Sequence, residues 1–261
     1  MSTEPRPGGG PGDWPEGYGR VILEEVDSTL DEARRRHPTT AAPTWILARR
    51  QKAGRGRRGR AWLQPAGNFA ATLLLPDAGP PAQAALRSFV AALAVADALA
   101  GLGVETRLKW PNDVLLDGGK LAGILLEGLP GGGLAVGIGV NLAAAPEPEA
   151  VEPGALAPVA LTPARGVAVA PPDFLTLLAR AWAAREASLA RLGFAPIRTA
   201  WKARAARLGQ EIRVRLPQET LSGIFKDVDA AGQLVLSTGS GLRRIAAGEV
   251  FLEGGQDASG D

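Results

Sequence analysis

The 261-residue chain contains no cysteine and a single histidine. The missing cysteines exclude disulfides, a thiol nucleophile and a Cys/His zinc cage, and one histidine excludes a multi-histidine metal site. That residue, His37, precedes a proline among polar residues, which favours a surface loop over a catalytic position. Any chemistry must therefore use carboxylates, lysine, arginine, amides or hydroxyls.

Net charge and long apolar runs are also limited. A net charge of +2 does not by itself indicate a nucleic-acid partner, so the basic residues matter through their clustering. No apolar run reaches the roughly 18 residues of a membrane span, and the first 19 residues do not resemble a signal peptide. We expect a soluble cytoplasmic protein without membrane association, which the missing disulfides suit.

The length and the 46% of hydrophobic residues predict one large domain and one small domain. The Gly/Pro-rich residues 1–19 are expected to be disordered, and 253–261 to form a flexible tail. Strands and helices should alternate over 20–207. Short alternating strands over 208–252 predict a small β-barrel or sandwich.

Within the large domain, hydrophobic patterning and turn signals predict the individual elements. A helix should follow a cap at Asp27 or Ser28, and Asp117-Gly118-Gly119 should join two strands as a hairpin. Residues 143–171 are expected to be loop. The remaining predictions are strands over 20–26, 45–51, 68–75 and 134–142, a buried helix over 82–102, and helices near 172–192 and 195–207.

The stretch "KAGRGRRGRAW" (52–62), here called the basic loop, contains the pattern G-x-G-x-x-G. A dinucleotide fingerprint needs a helix after these glycines, but the residues that follow predict a strand. A P-loop fails as well, because Arg60-Ala61 replace the Lys-Ser/Thr pair. Glycines and crowded arginines still favour an anionic ligand that orders a mobile loop. An RNA-contacting arm or a solvated charge run remains open, although Trp62 is the only nearby ring.

Further polar groups follow along the chain. "KWPND" (109–113) offers a lysine, an aromatic face, an amide and a carboxylate at a proline turn, although an ordinary surface turn gives the same pattern. Lys120 opens the next strand. The alternate glycines of "GIGVN" (137–141) suggest close approach by something bulky, and Asn141 ends that strand.

In this order and spacing, "DST", "QKAGRGRRGRAW", "GN", "KWPNDVLLDGGKLAGILLE" and "GIGVN" resemble the biotin protein ligases over roughly residues 20–252. The resemblance implies an α+β fold, a class II synthetase-like catalytic domain built on a mixed sheet with helices, followed by a C-terminal SH3-like β-barrel. It implies that biotin and MgATP form biotinyl-5'-AMP. The biotinyl group then passes to a lysine of the biotin carboxyl carrier protein of acetyl-CoA carboxylase or another biotin-dependent carboxylase.

The resemblance also implies roles for individual residues. Lys120, with Arg55 and Arg57, should act at the activated carboxyl and phosphate, and Asp113 is a possible magnesium contact. Biotin should meet Ser28, Thr29, Gln51, Arg55, Gly56, Arg57, Lys120, Gly123 and Gly139. The adenylate side should comprise Arg58, Arg60, Trp62, Lys109, Asn112, Asp113 and Asn141.

Two departures from the family pattern stand out. Leu30 follows Ser-Thr where the family often has Asn, so a polar contact is lost or moves to the backbone. Only about 19 residues precede the first strand, too few for a winged helix-turn-helix, so we expect the ligase-only form without DNA binding. We also expect a monomer or weak homodimer. The rival functions are a lipoate–protein ligase, a nicotinamide oxidoreductase, which lacks its helix, and an RNA-binding module.

Overall fold

The computed structural model of the chain describes residues 14–147 and 156–252. The expected disorder of 1–13 and the expected tail 253–261 lie outside the described residues. Trp14 donates its indole N–H to the carbonyl of Tyr18 at 2.7 Å, and both rings pack against the core. Residues 14–19, which the sequence assigns to a disordered segment, therefore take part in the folded structure.

The elements follow the predicted order, with an additional short helix inside the expected loop 143–171. The strands are β1 Gly19–Val26, β2 Thr44–Gln51, β3 Phe69–Leu75, β4 Arg107–Lys109, β5 Asp113–Leu116, β6 Gly119–Gly128, β7 Leu134–Val140, β8 Glu211–Arg215, β9 Thr220–Val228, β10 Leu234–Thr238, β11 Gly241–Ile245 and β12 Glu249–Phe251. The helices are α1 Thr29–Arg36, α2 Pro81–Ala85, α3 Arg87–Ala100, α4 Leu161–Arg165, α5 Pro171–Leu192 and α6 Phe194–Arg204.

The first seven strands form one mixed sheet in the order β1-β2-β3-β7-β6-β5-β4. β1 and β2 are parallel and are joined through α1, and the other neighbours are antiparallel. Asp117 (φ 50°) and Gly118 (φ 81°) form the turn between β5 and β6, as two-residue hairpins with positive φ require. The predicted hairpin is confirmed.

The two faces of this sheet carry different elements. Alternate β2 residues face opposite sides: Trp45 and Leu47 pack in the large core with α3 and α5, whereas Ile46 packs with Leu30 and Ala33 of α1. This alternation follows from the two-residue period of a strand. The face that carries α1 is the one on which the candidate site lies.

The predicted continuous helix over 82–102 is divided at Leu86 into α2 and α3, and α3 ends at Ala100 with Gly101 as its C-cap. An 18-residue window of Pro81–Ala100 has a mean hydropathy of 1.4, so by length and composition this stretch could span a membrane, contrary to the expectation from the sequence. The apolar side chains of this stretch pack into the hydrophobic core, where Phe89, Leu93 and Leu99 are fully or nearly fully buried.

The last five strands form a separate antiparallel sheet, here called the C-terminal sheet, in the order β11-β10-β9-β8-β12. It is fastened to the rest of the molecule at several points. The buried indole N–H of Trp110 donates to the carbonyl of Gly232 at 3.0 Å, and Lys202 pairs with Asp227 at 2.6 Å. The predicted fold, a mixed sheet with helices followed by a small β unit, is confirmed.

Candidate active site

A cavity of about 940 Å³ opens on the α1 face of the large sheet and extends to the C-terminal sheet. Its walls come from the basic loop, the "KWPND" turn, β6, β7 and β12. Every residue that the sequence predicts for the site borders this cavity, except Ser28. Those that border it are Thr29, Gln51, Arg55, Gly56, Arg57, Arg58, Arg60, Trp62, Lys109, Asn112, Asp113, Lys120, Gly123, Gly139 and Asn141.

The basic loop folds as a small hairpin. The amide of Trp62 donates to the carbonyl of Gly54 at 2.8 Å, and that of Gly56 donates to Arg60 at 2.7 Å. Arg58 (φ 59°) and Gly59 (φ 73°) make the turn in the left-handed region. Arg60 is extended, and the next strand or helix along the chain is β3, so the helix that a dinucleotide fingerprint needs does not follow.

Carboxylates of the protein itself hold three of the loop arginines. Arg55 makes two hydrogen bonds to Asp31, at 2.5 and 2.9 Å. Arg58 and Arg60 both reach Glu249 of β12, at 2.7 and 2.9 Å. The sequence predicts a mobile loop in the absence of an anion, and here internal carboxylates serve as the anions that give the loop a defined conformation.

Arg57 lies deeper than the other loop arginines. Its guanidinium donates to the amide oxygen of Asn112 and to the carbonyl of Gly248, both at 3.3 Å. Burial lowers the pKa of Arg57, which the charge of Asp113 partly opposes. A cation with this degree of desolvation gains most from an anion placed in the cavity beside it.

Lys120 and Lys109 converge on the carboxylate of Asp113. The Lys120 Nζ lies 2.8 Å from one oxygen and the Lys109 Nζ 3.3 Å from the other. Burial raises the pKa of Asp113, but the charges of Lys120 and then Lys109 lower it more, so its pKa lies below the ordinary value. The site thus fixes two ammonium groups around one ionised carboxylate.

The two predicted asparagines each donate a hydrogen bond to a backbone carbonyl. Asn112 donates its amide to the carbonyl of Ile124 at 2.5 Å, which holds the "KWPND" turn against β6. Asn141 accepts from Asn68 at 3.4 Å and donates to Val159 at 3.2 Å. Their amides therefore shape the cavity wall through these bonds.

The glycines of β6 and β7 do leave room for something bulky, and in the structure it is the Trp62 ring. A Cβ at Gly139 would lie 2.6 Å from Cζ2 of Trp62, and one at Gly123 would lie 3.1 Å from Cζ3. Gly137, on the same face, accommodates Leu30 instead, at 3.0 Å from the position a Cβ would take. Leu30 thus forms an apolar wall where the family often has Asn.

Ser28 and Thr29 lie at the start of α1. Ser28 is its N-cap by backbone geometry, as predicted, but its hydroxyl makes no cap bond. This buried hydroxyl has no hydrogen-bond partner within the part of the chain that the structure describes. Thr29 donates its hydroxyl to Gln51 at 3.0 Å and accepts from Thr72 at 2.9 Å, so Thr29 and Gln51 form one polar group as the sequence suggests.

Some residues of the site were missed from the sequence. Asp31 and Glu249 hold the loop arginines, and Arg213 and Arg215 of β8 line the cavity from the C-terminal sheet. The alternation of "EIRVR" (211–215) puts the two arginines on one face of a strand. Only the fold, however, shows which surface that face meets.

The described ranges 14–147 and 156–252 contain no group of three His, Cys, Asp or Glu side chains placed to hold a metal ion. Asp113, the predicted magnesium contact, is bonded to two lysines. The residues present therefore do not fit a protein-held magnesium ion at this carboxylate.

Comparison with known families places two regions of the chain. Residues 18–143 match the biotin/lipoate A/B protein ligase family. Residues 208–253 match the biotin protein ligase C terminal domain. The two matches contain the large sheet and the C-terminal sheet, respectively.

Individual relatives agree with these matches. The chain is 52% identical to the biotin–[acetyl-CoA-carboxylase] ligase of Paracoccus denitrificans over 89% of its own length and 100% of the relative. It is 36% identical to the enzyme of the same name from Mycobacterium tuberculosis, over 78% and 77% of the two chains. A biotin protein ligase from Aquifex aeolicus, solved with biotin and ATP, superposes with a TM-score of 0.77 at 27% identity, covering 89% of this chain and 97% of that one.

Proposed function

The chain belongs to the biotin protein ligase family, and we propose from this premise that its cavity converts biotin to biotinyl-5'-AMP and delivers the biotinyl group to a carrier lysine. The function is that of an ATP-dependent biotin–[carboxyl carrier protein] ligase. The observation that carries the assignment of the site is the convergence of Lys120, Arg57 and the loop arginines on one cavity.

The reaction has two steps. A biotin carboxylate oxygen bonds to the α-phosphorus of ATP while the bond to the β-phosphate oxygen breaks, and pyrophosphate leaves. The neutral amine of a carrier lysine then attacks the acyl carbon, loses a proton and displaces AMP. Both steps bring anions together or develop charge on oxygen, which fixed cations stabilise without an acyl-enzyme.

Lys120 and Arg57 are the groups proposed to meet the reacting carboxyl and α-phosphate. Asp113 keeps the Lys120 ammonium in place, and Lys109 shares that carboxylate on the adenylate side. Arg57 is already partly desolvated by burial, so less solvent must be displaced when its charge is used. Arg55 holds the stem of the basic loop against α1 through Asp31.

The biotin ring system is proposed to bind near Ser28, Thr29 and Gln51. Ser28 does not border the cavity but directly precedes Thr29, which does. The buried Ser28 hydroxyl has no hydrogen-bond partner among the described residues, which costs free energy that a ligand carbonyl would recover. Gly123 and Gly139 line the channel toward Lys120. The Trp62 ring, which now covers these glycines, must move aside when biotin enters, and we propose that it then packs on the adenine.

Magnesium and the carrier protein also belong to the proposed function. Magnesium is proposed to enter on the phosphates of ATP as part of the substrate. The carrier is proposed to be the biotin carboxyl carrier protein of acetyl-CoA carboxylase or of a related carboxylase. A cytoplasmic location, a monomer or weak homodimer, and the absence of DNA binding stay predictions.

Transfer is tested by incubating the purified protein with ATP, magnesium and a biotin carboxyl carrier protein, with biotin or lipoate supplied separately. We expect the carrier lysine to gain one biotinyl group, detected by mass and by streptavidin, and no lipoyl group. Lipoylation without biotinylation would instead support the lipoate ligase. A carrier in which that lysine is replaced by arginine is the control.

A further inference from the structure

A buried threonine of β3, Thr72, lies behind the end of the cavity where the biotin ring is proposed to bind. The other six residues of β3 are apolar, and Thr72 is fully buried. Its partners in register are Ile46 of β2 and Gly137 of β7, and Gly137 borders the cavity. A hydroxyl in such surroundings costs free energy unless it is hydrogen-bonded. The partner of this hydroxyl therefore shows what Thr72 holds in place.

The hydrogen bond of Thr72 sets the direction of a short chain of hydrogen bonds. The Thr72 hydroxyl donates to Oγ1 of Thr29 at 2.9 Å. The Thr29 hydroxyl has a single proton, which it donates to Oε1 of Gln51 at 3.0 Å. The backbone N–H of Thr29 donates to the same oxygen at 2.8 Å. Thr72 is therefore the first donor of a chain that ends on the amide oxygen of Gln51.

This direction decides which hydrogen-bonding groups a ligand meets, because Thr29 and Gln51 both border the cavity. Since the Gln51 oxygen accepts from Thr29, the Gln51 nitrogen offers its two N–H donors elsewhere. The Thr29 oxygen can accept one further hydrogen bond, because a hydroxyl has two acceptor lone pairs and Thr72 occupies one. Donors from Gln51 and an acceptor from Thr29 match a ring that carries both a carbonyl oxygen and an N–H group.

We propose that Thr72 is a positioning residue for recognition of the biotin ring, an inference that rests on the proposed function. Thr72 does not border the cavity, so it acts through Thr29. By donating to the Thr29 oxygen, it holds the Thr29 proton toward Gln51 and fixes the donor and acceptor positions for the ureido group of biotin. A ring without polar groups, such as the dithiolane of lipoate, would leave these positions without partners and is disfavoured.

The test compares Thr72→Val with Thr176→Val in the full-length protein. Valine keeps the branched shape that suits a strand and removes the hydroxyl. Thr176 is a matched control, because its hydroxyl donates to the carbonyl of Pro172 at 3.2 Å within α5, which packs on the other face of the large sheet. We expect the Kd for biotin to rise about tenfold in Thr72→Val and to stay unchanged in the control. Thr72→Ser, which restores the hydroxyl, should recover most of the affinity, and Thr72→Ala should show the same loss as valine.

Two further measurements separate positioning from a general loosening of the cavity. The KM for ATP and the adenylation rate at saturating biotin should be the same in Thr72→Val as in the unmodified protein. In a Thr29→Val background, Thr72→Val should raise the Kd for biotin no further, because the hydroxyl through which it acts is absent. An unchanged Kd in Thr72→Val would overturn the proposal, and so would a second tenfold rise in the Thr29→Val background or an equal rise in the KM for ATP. Failure of the proposed function would be seen differently, as no biotin-dependent turnover in the unmodified protein.

Discussion

The Lys120 ammonium lies 2.8 Å from the carboxylate of Asp113, at the point where β5 and β6 run side by side. The lysine is partly exposed to the cavity and the aspartate is buried beneath it. A buried counter-ion of this kind fixes the position of the lysine. The lysine can still donate to a phosphate, because an ammonium has three N–H donors.

Replacing Lys120 by alanine should reduce the rate of biotinyl-5'-AMP formation about 100-fold, the usual effect of losing one donor to a developing oxyanion. Single-turnover adenylation measures this rate. Lys202→Ala is a matched control, since Lys202 also pairs with an aspartate, Asp227, but outside the cavity lining. A wild-type rate for a folded Lys120→Ala protein would remove Lys120 from the site.

Replacing Arg57 by glycine should release biotinyl-5'-AMP. The change removes the bonds to Asn112 and Gly248 that fasten the basic loop across the cavity, so the intermediate should dissociate about tenfold faster. Streptavidin detection of added bystander proteins, which the escaped adenylate would label, gives the measurement. Arg57→Lys keeps a cation there and should leak less, and equal retention by wild type and glycine variant would contradict the role.

The contact of the basic loop with Glu249 should not change between pH 5 and 8. Burial raises the pKa of Glu249, but Arg60 and Arg215 lower it more, to about 2. Because the pKa of Glu249 is depressed in the folded protein, the ionised carboxylate stabilises the contact at every pH above the ordinary value of about 4.5. This stabilisation is lost only as the pH falls from about 4.5 to about 2. Hydrogen exchange of the loop amides should show constant protection over pH 5–8.

The variant Glu249→Gln should lose that protection throughout the same pH range. Glu219→Gln, which breaks the Arg243 pair on the far strands, should leave the loop amides unchanged. Protection that titrates near pH 6 in the unmodified protein would show that another group holds the loop.

Gly139 should not tolerate a side chain while Trp62 is present. A Cβ there would overlap the indole, so Gly139→Ala should displace the ring and raise the Kd of biotinyl-5'-AMP. Gly128→Ala is the control, because nothing lies within 4 Å of its Cβ position on the same strand ladder. In a Trp62→Ala background the alanine at position 139 should add little further loss, and full additivity would contradict the proposed overlap.

The sequence predicts local features of this fold well, because they depend on neighbouring residues. The Asp117-Gly118 hairpin and the seven buried residues of β3 follow from turn chemistry and hydrophobic runs. The break at Leu86 and the extra helix α4 were not predicted, since tertiary packing decides where a run of alanine and leucine is divided.

The candidate site likewise combines residues that the sequence predicts with residues that only the fold brings to the cavity. Motif order brought Lys120, Arg57 and the glycine pair into one hypothesis, but Glu249 lies about 190 positions from the arginines it holds, beyond any spacing rule. Nor could the sequence show that Trp62 occupies the space beside Gly139, which is set by the conformation of the hairpin.

The most direct test of the central claim is the exchange of labelled pyrophosphate into ATP by the purified protein. Biotin activation is reversible at the adenylate, so we expect label to enter ATP when biotin and magnesium are present and not when biotin is omitted or replaced by lipoate. Absence of exchange with biotin, in a preparation shown to be folded, would contradict the assignment of this cavity as the site of biotinyl-5'-AMP formation.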